Sequence, residues 1–378
     1  MGVAVREDAE TGRGTVPAGA AGPSGAGPAA GAAGEPVHTV PAGELRALAA
    51  EVLRAEGASP ADAELVAAAL VEANLIGHDS HGVRRLPPYV AAVRRGEVDP
   101  RAVPEVLSRH GATVTIAGNR AFGQVAAAMA VRELADAAAR HGVAVAVIRD
   151  CTHIGRLGEY VETLAREGHV AMALCNVDPT VAPFGGRDRR MGTNPMAWAL
   201  PRAGGPPVVV DWATSAVAEG KLALALARGE RVGPGLVVDP DGRPTTDPAD
   251  FYRGGALLPF AGHKGYGLSI VIEVIGGLLT GTGISALPDY QGTSGTVLLA
   301  LDVAPFVPPE EFREQVARYC ELLRATPPAE GHREVLVPGD LEERARRERA
   351  RDGIPLPAAT WSELRALLAE PAPGGDAG

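Results

Sequence analysis

His153 is the histidine of this sequence whose neighbours best suit acid–base chemistry. It follows the apolar run 143–148 (VAVAVI), which predicts a buried strand, and it precedes residues 157–165, in which apolar residues recur at helical spacing. A histidine at a strand-to-helix junction is held by rigid elements and can still exchange a proton with a substrate. A structural histidine would leave the same pattern, so this peptide alone leaves both interpretations open.

Cys151, two residues before His153, raises the alternative of a cysteine nucleophile with a histidine base. The sequence supplies no third group to orient this pair, and we expect Cys151 to take no part in catalysis. With Cys175 and Cys320 the chain has three cysteines, an odd number without a CxxC pair or a tight Cys/His cluster. A disulfide framework or a metal site is therefore not expected, and a reducing cytoplasm fits the composition.

Residues 78–89 (HDSHGVRRLPPY) combine two histidines, an acid, a serine and two arginines. Such a segment packs poorly, and Gly82 with the prolines at 87 and 88 predicts a loop of fixed shape. An arginine there could bind a carboxylate with two parallel hydrogen bonds, which a lysine cannot do. The segment is either an anion-binding loop or an exposed, solvated cap.

Glycine-rich stretches elsewhere leave backbone N–H groups free to meet a ligand. They are residues 178–186, 191–196 and 262–267, the last of which places Lys264 between glycines at the start of an apolar helix. This resembles an anion-binding helix terminus, although the GxxxxGK[ST] phosphate-binding pattern is absent. Asp211 follows a predicted strand at 207–210 and lies at the start of a predicted helix that runs to residue 227. It could contact a ribose, orient a histidine or cap that helix.

Apolar periodicity predicts the elements that must hold these residues. A helical hairpin opens the folded part, with one helix from residue 44 and a second that Ser59 and Pro60 cap at its start. Further along are a strand at 114–116, a helix at 125–139, strands at 170–175 and 297–303, a hairpin at 237–248, and charged helices from residue 308, with 342–351 as a solvated face. The apolar run 265–287 predicts a buried core helix rather than a membrane span, because Glu273 and glycines interrupt it.

Composition limits the class of protein. The 378 residues, 46% of them apolar, predict a globular chain of about two domains. A formal net charge of −10 argues against nucleic acid or an anionic membrane as the main partner. Residues 1–36 are rich in Gly, Ala and Pro and predict a disordered tail. The start of the chain lacks the pattern of a secretory signal.

Seven blocks of the sequence occur in the order and spacing of one known family. They are residues 81–85 (HGVRR), 153–160 (HIGRLGEY), 183–186 (PFGG), 192–195 (GTNP), 211–215 (DWATS), 245–248 (TTDP) and 264–267 (KGYG). Over about residues 40–355 the chain resembles the malate/L-lactate dehydrogenases of the type that includes ureidoglycolate dehydrogenase, sulfolactate dehydrogenase and the Δ1-piperideine-2-carboxylate reductases.

The resemblance implies an α/β fold without a Rossmann domain, in which a central, largely antiparallel sheet with helices binds NAD or NADP. The absence of a GxGxxG motif between a strand and a helix agrees with that fold. The implied cofactor-binding domain covers residues 119–307. A helical domain from both chain ends, residues 37–118 and 308–378, carries the substrate loop and supports a homodimer.

The resemblance also implies roles by position. His153 matches the proton-transferring histidine, with His81 as the second candidate, and Ser80 and Arg85 match the substrate loop. The residues matched to cofactor contacts are Val177, Asp211, Trp212, Ala213, Lys264, Gly339, Asp340 and Leu341. Arg85 would hold a substrate carboxylate and so orient C2 of a 2-oxo acid. An ordinary histidine pKa of about 6.5 would let His153 give or take a proton in either direction.

Three departures from the family pattern concern the pocket. Thr152 stands where many relatives carry Asn, Trp212 stands where Met is usual, and residues 291–295 (QGTSG) replace a commoner Asn-x-Gly-His pattern. The first two affect the cofactor and pocket details, and the third affects substrate choice.

Two alternatives to a 2-hydroxy acid dehydrogenase remain. A reductase of a cyclic imino acid or another imine would differ only in what occupies the pocket. A catalytically inactive dinucleotide-binding protein would belong to another class, against which the retention of His81, Arg85, His153 and Lys264 argues.

Overall fold

A seven-stranded sheet runs through the centre of the computed structural model, which describes residues 37–369. The predicted tail at 1–36 lies outside the described residues. The strands are β1 Val37–Val40, β2 Glu105–His110, β3 Thr113–Ala117, β4 Val143–Arg149, β5 His169–Asn176, β6 Met196–Leu200, β7 Val208–Trp212, β8 Val237–Val238, β9 Pro244–Thr245, β10 Ala256–Leu257, β11 Gly295–Asp302 and β12 Ile354–Pro357. The helices are α1 Ala42–Ala55, α2 Pro60–Leu75, α3 Leu86–Arg94, α4 Gly123–His141, α5 Leu157–Arg166, α6 Glu219–Ala227, α7 Pro248–Tyr252, α8 His263–Thr280, α9 Pro309–Arg324, α10 Asp340–Asp352 and α11 Ala358–Ala369.

The central sheet has the strand order β2-β3-β4-β11-β5-β6-β7. Its neighbouring strands pair antiparallel except for β3 and β4, which run parallel. The prediction of a largely antiparallel sheet flanked by helices is therefore confirmed.

Small residues on one face of the sheet let two helices pack closely against it. Ala146, Ala173 and Ala300 are fully buried on β4, β5 and β11, in one core cluster with Leu134 of α4 and Leu164 of α5. Alanine alternates with larger residues along these strands, as a strand with two different faces requires. The larger residues lie on the opposite face, where α8 packs. This arrangement fixes the end of β4 and the start of α5, between which His153 lies.

The two ends of the described chain meet in a separate two-stranded sheet. β1 pairs antiparallel with β12, so that Val40 lies opposite Ile354. A second core cluster joins residues of α1, α2, α3 and α11 around Leu53, Leu70 and Leu364. The strands β2 and β3 belong to the central sheet although they fall within the 37–118 segment, and the division into two domains remains a proposal.

Several local predictions are confirmed. The Ser59 hydroxyl accepts a hydrogen bond from the Asp62 N–H at 3.1 Å, as expected for the cap of α2. β4, β5 and β11 lie where apolar runs predicted strands. β8 and β9 form the expected hairpin, with the Gly242 N–H donating to the Asp239 carbonyl.

Other predictions are wrong. The helix predicted from residue 212 begins at Glu219 instead, because Trp212 still pairs with Met196 at the end of β7 and Ser215 bridges to Pro259. Residues 86–89 are not a loop, since Pro87 and Pro88 lie in the first turn of α3. The strands β2 and β6 were not predicted.

The apolar run that became α8 is buried only on one side. Ile272 and Glu273 are buried, whereas five aliphatic residues on its outer side are exposed, with relative exposures of 41–60%: Ile270, Val271, Val274, Leu278 and Leu279. The prediction of a buried core helix is therefore wrong for that side. Within residues 37–369 no helix is both long and apolar enough to cross a membrane.

Candidate active site

The structure brings His81 and His153 together from distant parts of the sequence. His153 follows β4, and His81 ends a short 3₁₀ turn, Asp79–His81, between α2 and α3. The two imidazole rings stack with their centroids 5.9 Å apart and an interplanar angle of 18°. Because the two rings lie side by side, a substrate bound next to them could contact either one. Both histidines therefore remain candidates for proton transfer.

A buried asparagine of α2 holds the His81 turn in place. The Asn74 side chain accepts from the Val83 N–H at 2.8 Å and donates to the Asp79 carboxylate at 2.7 Å. Arg349, buried on α10, pairs with the same carboxylate at 2.7 Å. Gly82 is required there, because a Cβ atom would lie 2.2 Å from the Asn74 amide oxygen. This segment is thus a rigid part of the site and not a solvated cap.

Ser80 and Arg85 complete the turn around His81. The Ser80 hydroxyl lies 3.0 Å from His81 Nδ1, and Arg85 Nε donates to the Ser80 carbonyl at 2.9 Å. The two terminal nitrogens of Arg85 make no hydrogen bond or ion pair with any residue from 37 to 369. The guanidinium is half-buried and keeps its planar edge available for an anion such as a carboxylate.

His153 is held by residues that sequence reasoning did not single out. Its Nδ1 lies 2.7 Å from the hydroxyl of buried Tyr89 and 3.3 Å from the Gly155 backbone nitrogen. The side-chain amide of Gln124, on α4, donates to the Tyr89 oxygen at 2.8 Å. Tyr89 closes the polar segment 78–89, and its position in that segment was the only signal that could have found it.

Burial and charge shift the pKa values of both histidines downward. Burial lowers the pKa of His81 to about 3, with the charge of Arg85 adding to the effect. Burial, followed by the charges of Arg85 and His81, holds the pKa of His153 well below 6.5. The expectation of an ordinary pKa for His153 is wrong, because a cationic imidazole would be desolvated beside a guanidinium. Both rings are neutral at pH 7 before substrate binds.

A small, partly open cleft lies between β7 and the start of α10, and neither His81 nor His153 lines it. Asp211, Gly339, Arg156 and His78 line it, so it unites two of the sequence blocks matched to cofactor contacts. Asp211 Oδ2 accepts from the Gly158 N–H at 2.7 Å, at the start of α5. Burial raises the pKa of the Asp211 carboxyl above its ordinary value, although the Arg156 charge opposes this.

The other residues matched to cofactor contacts take varied positions. Lys264 and Trp212 are exposed, and the strand end near Trp212 is tied to the chain before α8 by a hydrogen bond from the Phe260 N–H to the Thr214 carbonyl at 2.9 Å. Val177 donates its N–H to Asn194 Oδ1 at 3.3 Å. Ala213 and Leu341 are half-buried, and Asp340 pairs with Arg324 at 2.6 Å.

Glu273 links the glycine loops to α8. Its carboxylate accepts from Asn194 at 2.7 Å, from Asn176 at 3.1 Å and from the Ser285 N–H at 2.6 Å. A buried carboxylate with this many donors is a well-satisfied anchor. Its role is to fix loop 191–196 and the chain that leads to residues 291–295, the loop expected to affect substrate choice.

Cys151 is fully buried beside Thr296, and burial raises the pKa of its thiol. A thiol that is hard to ionise is a poor nucleophile. The geometry therefore gives Cys151 no chemical role beside His153.

Comparison with known proteins yields consistent matches. The sequence matches the malate/L-lactate dehydrogenase family model over residues 40–365. Hydroxycarboxylate dehydrogenase B of Escherichia coli is 38% identical over 336 residues, which cover 86% of this chain and 92% of that protein. L-sulfolactate dehydrogenase of Methanocaldococcus jannaschii is 34% identical over 325 residues, which cover 85% and 93%. The crystal structure of Δ1-piperideine-2-carboxylate reductase from Pseudomonas syringae is similar with a TM-score of 0.79 and 35% identity, covering 87% of this chain and 99% of that one.

Proposed function

The chain belongs to the malate/L-lactate dehydrogenase family and is an oxidoreductase, and we propose that it transfers a hydride between a nicotinamide cofactor and C2 of a small 2-hydroxy or 2-oxo carboxylic acid. The observation that carries this proposal is the stacked pair of histidines together with Arg85, whose terminal nitrogens have no partner within residues 37–369. That set can hold a carboxylate and exchange a proton with the heteroatom on the neighbouring carbon.

Asp211 is the residue of the cleft between β7 and α10 that could contact a ribose of a bound dinucleotide. Asp211 Oδ1 has no hydrogen bond to any described residue, and a carboxylate there can accept from a ribose hydroxyl. Gly158 lets Arg156 and Asp211 pack closely against the start of α5, because a Cβ atom on it would lie 2.2 Å from Arg156 Nη1 and 2.8 Å from Asp211 Oδ2. NAD or NADP bound there would supply or accept the hydride. The protein's own residues would bind the substrate and transfer the proton.

Arg85 binds and orients the substrate. Its terminal nitrogens can hold the carboxylate with two parallel hydrogen bonds, which fixes the direction of the adjacent C2 atom. The position of the guanidinium is itself fixed, since Nε donates to the Ser80 carbonyl. The negative charge of the bound carboxylate also offsets the charge of Arg85 that lowers the pKa of both histidines.

His153 donates the proton to the substrate heteroatom in reduction and accepts it in oxidation, with His81 as the second donor. A neutral imidazole can donate a hydrogen bond to the carbonyl oxygen as negative charge develops there. Ser80, 3.0 Å from His81 Nδ1, fixes the orientation of the second ring.

A reductase of a cyclic imino acid is the second candidate. It is favoured by the likeness to the Pseudomonas syringae reductase, which covers almost the whole of that chain. The same residues serve an imine, because its nitrogen takes the proton at the position of the carbonyl oxygen.

We further propose that the protein is a homodimer that associates through α8. The exposed aliphatic residues from Ile270 to Leu279 leave several hundred Å² of apolar surface uncovered, a size that marks protein contacts. A second copy fits this surface, because residues 265–280 hold a single charged side chain, Glu273, which is buried. A two-fold axis can therefore set the face against itself without charge repulsion. Three free, buried cysteines support a cytoplasmic location.

A substrate panel tests the reaction. Pyruvate, oxaloacetate, sulfopyruvate and Δ1-piperideine-2-carboxylate would each be assayed with NADH and with NADPH, and fluorescence titration would measure cofactor binding separately. We expect turnover of at least one 2-oxo acid. Turnover confined to the imine would favour the second candidate, and cofactor binding without any turnover would overturn both.

Replacement of His153 by Ala tests its role. We expect kcat to fall by about a hundredfold or more, the usual size of an acid–base contribution, while NAD(P)H binding survives. His81→Ala is the matched comparison. An unchanged kcat in His153→Ala with a large loss in His81→Ala would move the proton-transfer role to His81.

A further inference from the structure

His153 Nδ1 receives two contacts from the protein itself, and one of them fixes its protonation. The Gly155 backbone N–H points at Nδ1 from 3.3 Å, and a backbone N–H can only donate. Nδ1 is therefore an acceptor without a proton. The Tyr89 hydroxyl, 2.7 Å away, must then donate to the same nitrogen.

The orientation of the Gln124 side chain agrees with a Tyr89 hydroxyl that donates to His153. Gln124 is buried, and its NH₂ group donates to the Tyr89 oxygen at 2.8 Å, which leaves the hydroxyl proton free to point at His153. The Gln124 carbonyl oxygen is buried and lacks a partner among the described residues. If the amide were turned round, its carbonyl oxygen would accept the Tyr89 proton. The Tyr89 oxygen would then face Nδ1 as an acceptor while the Gly155 N–H faces it as a donor. Nδ1 could not satisfy both, with or without a proton. Gly155 aims its N–H through a left-handed turn, with φ +76°.

We propose that Tyr89 is the positioning residue that sets the tautomer of His153, so that the neutral ring carries its proton on Nε2 and presents it to the substrate, and that Tyr89 returns a proton to Nδ1 as Nε2 gives its own away. This inference rests on the proposed function, for which it names the origin of the transferred proton. Gln124 supports Tyr89 in this role.

The proton balance is simple. In reduction, C2 receives the hydride from the reduced nicotinamide, the Nε2–H bond breaks and the heteroatom gains that proton. The Tyr89 O–H bond breaks at the same time and an Nδ1–H bond forms, so the imidazole stays neutral and Tyr89 becomes a phenolate. To reset the site, a proton from solvent binds to Nε2 while Nδ1 returns its proton to the phenolate, which restores the Nε2–H tautomer and the Tyr89 hydroxyl. Without Tyr89 the ring would have to become an imidazolate anion, which is a much stronger base.

Two groups around Tyr89 favour its phenolate, although burial opposes it more strongly. Burial raises the pKa of Tyr89 to about 12, while the hydrogen bond from Gln124 and the charge of Arg85 oppose the rise. The charge of Glu159, which also faces Tyr89, raises the pKa of Tyr89 further. Arg85 and His81 face His153 and disfavour its cation. A neutral relay therefore suits this site better than an imidazolium acid in the free protein.

Nitrogen NMR of the protein labelled with ¹⁵N-histidine reads the tautomer directly, without substrate or cofactor. His153→Gln identifies the His153 signals among the nine histidines. We expect a pyrrole-type Nε2 and a pyridine-type Nδ1 throughout pH 6–8. A protonated Nδ1 in the wild-type protein would overturn the proposal whatever the enzyme turns over.

Tyr89→Phe tests the relay, with Tyr160→Phe as the matched control. Tyr160 is also a buried tyrosine, and its hydroxyl donates to the Ile154 carbonyl without touching the His153 ring. In Tyr89→Phe we expect kcat to fall about tenfold or more with KM nearly unchanged, and the His153 signals to show a mixture of tautomers. The solvent isotope effect should report two protons in flight in the wild-type protein and one in Tyr89→Phe.

The outcomes separate this proposal from the proposed function. Wild-type protein that turns over no substrate but shows the Nε2–H tautomer would refute the function and leave the tautomer assignment standing. Equal losses of kcat in Tyr89→Phe and Tyr160→Phe, with an unchanged His153 spectrum and isotope effect, would show that Tyr89 is only a packing residue.

Discussion

Glu159 is the side chain whose replacement should change the pH dependence of stability most clearly. It lies in the first turn of α5, half-buried, and its carboxylate makes no hydrogen bond to any described residue. Burial raises the pKa of this carboxyl from its ordinary 4.5 to about 7; Arg156 opposes the rise, and the charges of Glu72 and Glu162 add to it. The folded protein therefore holds the Glu159 proton more tightly than the unfolded chain does.

The sign and size of the effect follow from linkage. Between pH 4.5 and 7 the folded state binds more protons at this site, so the stability that Glu159 contributes is full below about pH 4.5 and lost as the pH rises through 7. At about 1.4 kcal/mol per pH unit, the loss amounts to at most about 3 kcal/mol. We expect Glu159→Gln to raise the free energy of unfolding by up to that amount at pH 8 and to change it little at pH 4.5.

Urea unfolding of both proteins at pH 4.5, 6, 7 and 8, at one fixed protein concentration, measures this difference. Glu162→Gln is a control of opposite sign. Although burial opposes it, the hydrogen bond from Arg166 and the charges of Arg346 and Arg156 hold the pKa of Glu162 below its ordinary value. Its replacement should destabilise the protein at pH 8. A Glu159→Gln protein that is no more stable than wild type at pH 8 would refute the reasoning.

Two further predictions concern the substrate grip and the dimer. Arg85→Lys should raise KM for the carboxylate substrate about tenfold or more, because a lysine cannot make the two parallel hydrogen bonds, and it should leave the Kd of NAD(P)H unchanged; a loss confined to cofactor binding contradicts this. Leu278→Glu should convert the dimer to monomers in size-exclusion chromatography with light scattering, because it buries a charge on the α8 face. Leu322→Glu, at an equally exposed leucine of α9, should leave the mass unchanged, and an unchanged mass in Leu278→Glu would place the contact elsewhere.

Local sequence patterns were enough to predict those helices and strands whose capping residues or apolar periodicity lie within the element itself. The Ser59–Pro60 start of α2 and the apolar runs of β4 and β5 carry it within a few residues. By contrast, β6 (196–200) and the start of α6 at Glu219 depend on partners elsewhere in the chain, such as the Met196–Trp212 pair. The exposed side of α8 could not be predicted either, since a helix that is apolar all round has the same sequence whether a core or a second copy covers it.

In the candidate active site, too, some residues could be predicted from the sequence and others could not. Residue types and family spacing predicted that His153, His81 and Arg85 matter, and the structure places these three within one cluster. The contact from Tyr89 to His153 joins residues 64 positions apart, and no local pattern encodes it.

The lowered pKa values of the two histidines are the clearest case of information that only the folded structure holds. An isolated histidine predicts a ring that is half-protonated near neutral pH, but burial beside Arg85 keeps both rings neutral. The missing counter-charge is the one that a carboxylate substrate brings. In the proposed mechanism its binding at Arg85 offsets the main charge that disfavours a proton on His81, while the Gly155 N–H and Tyr89 keep Nδ1 of His153 an acceptor until the proton is transferred. In this mechanism the substrate carboxylate would both anchor the molecule and set the electrostatics of proton transfer, so we expect a 2-oxo acid to be a better substrate than a simple ketone.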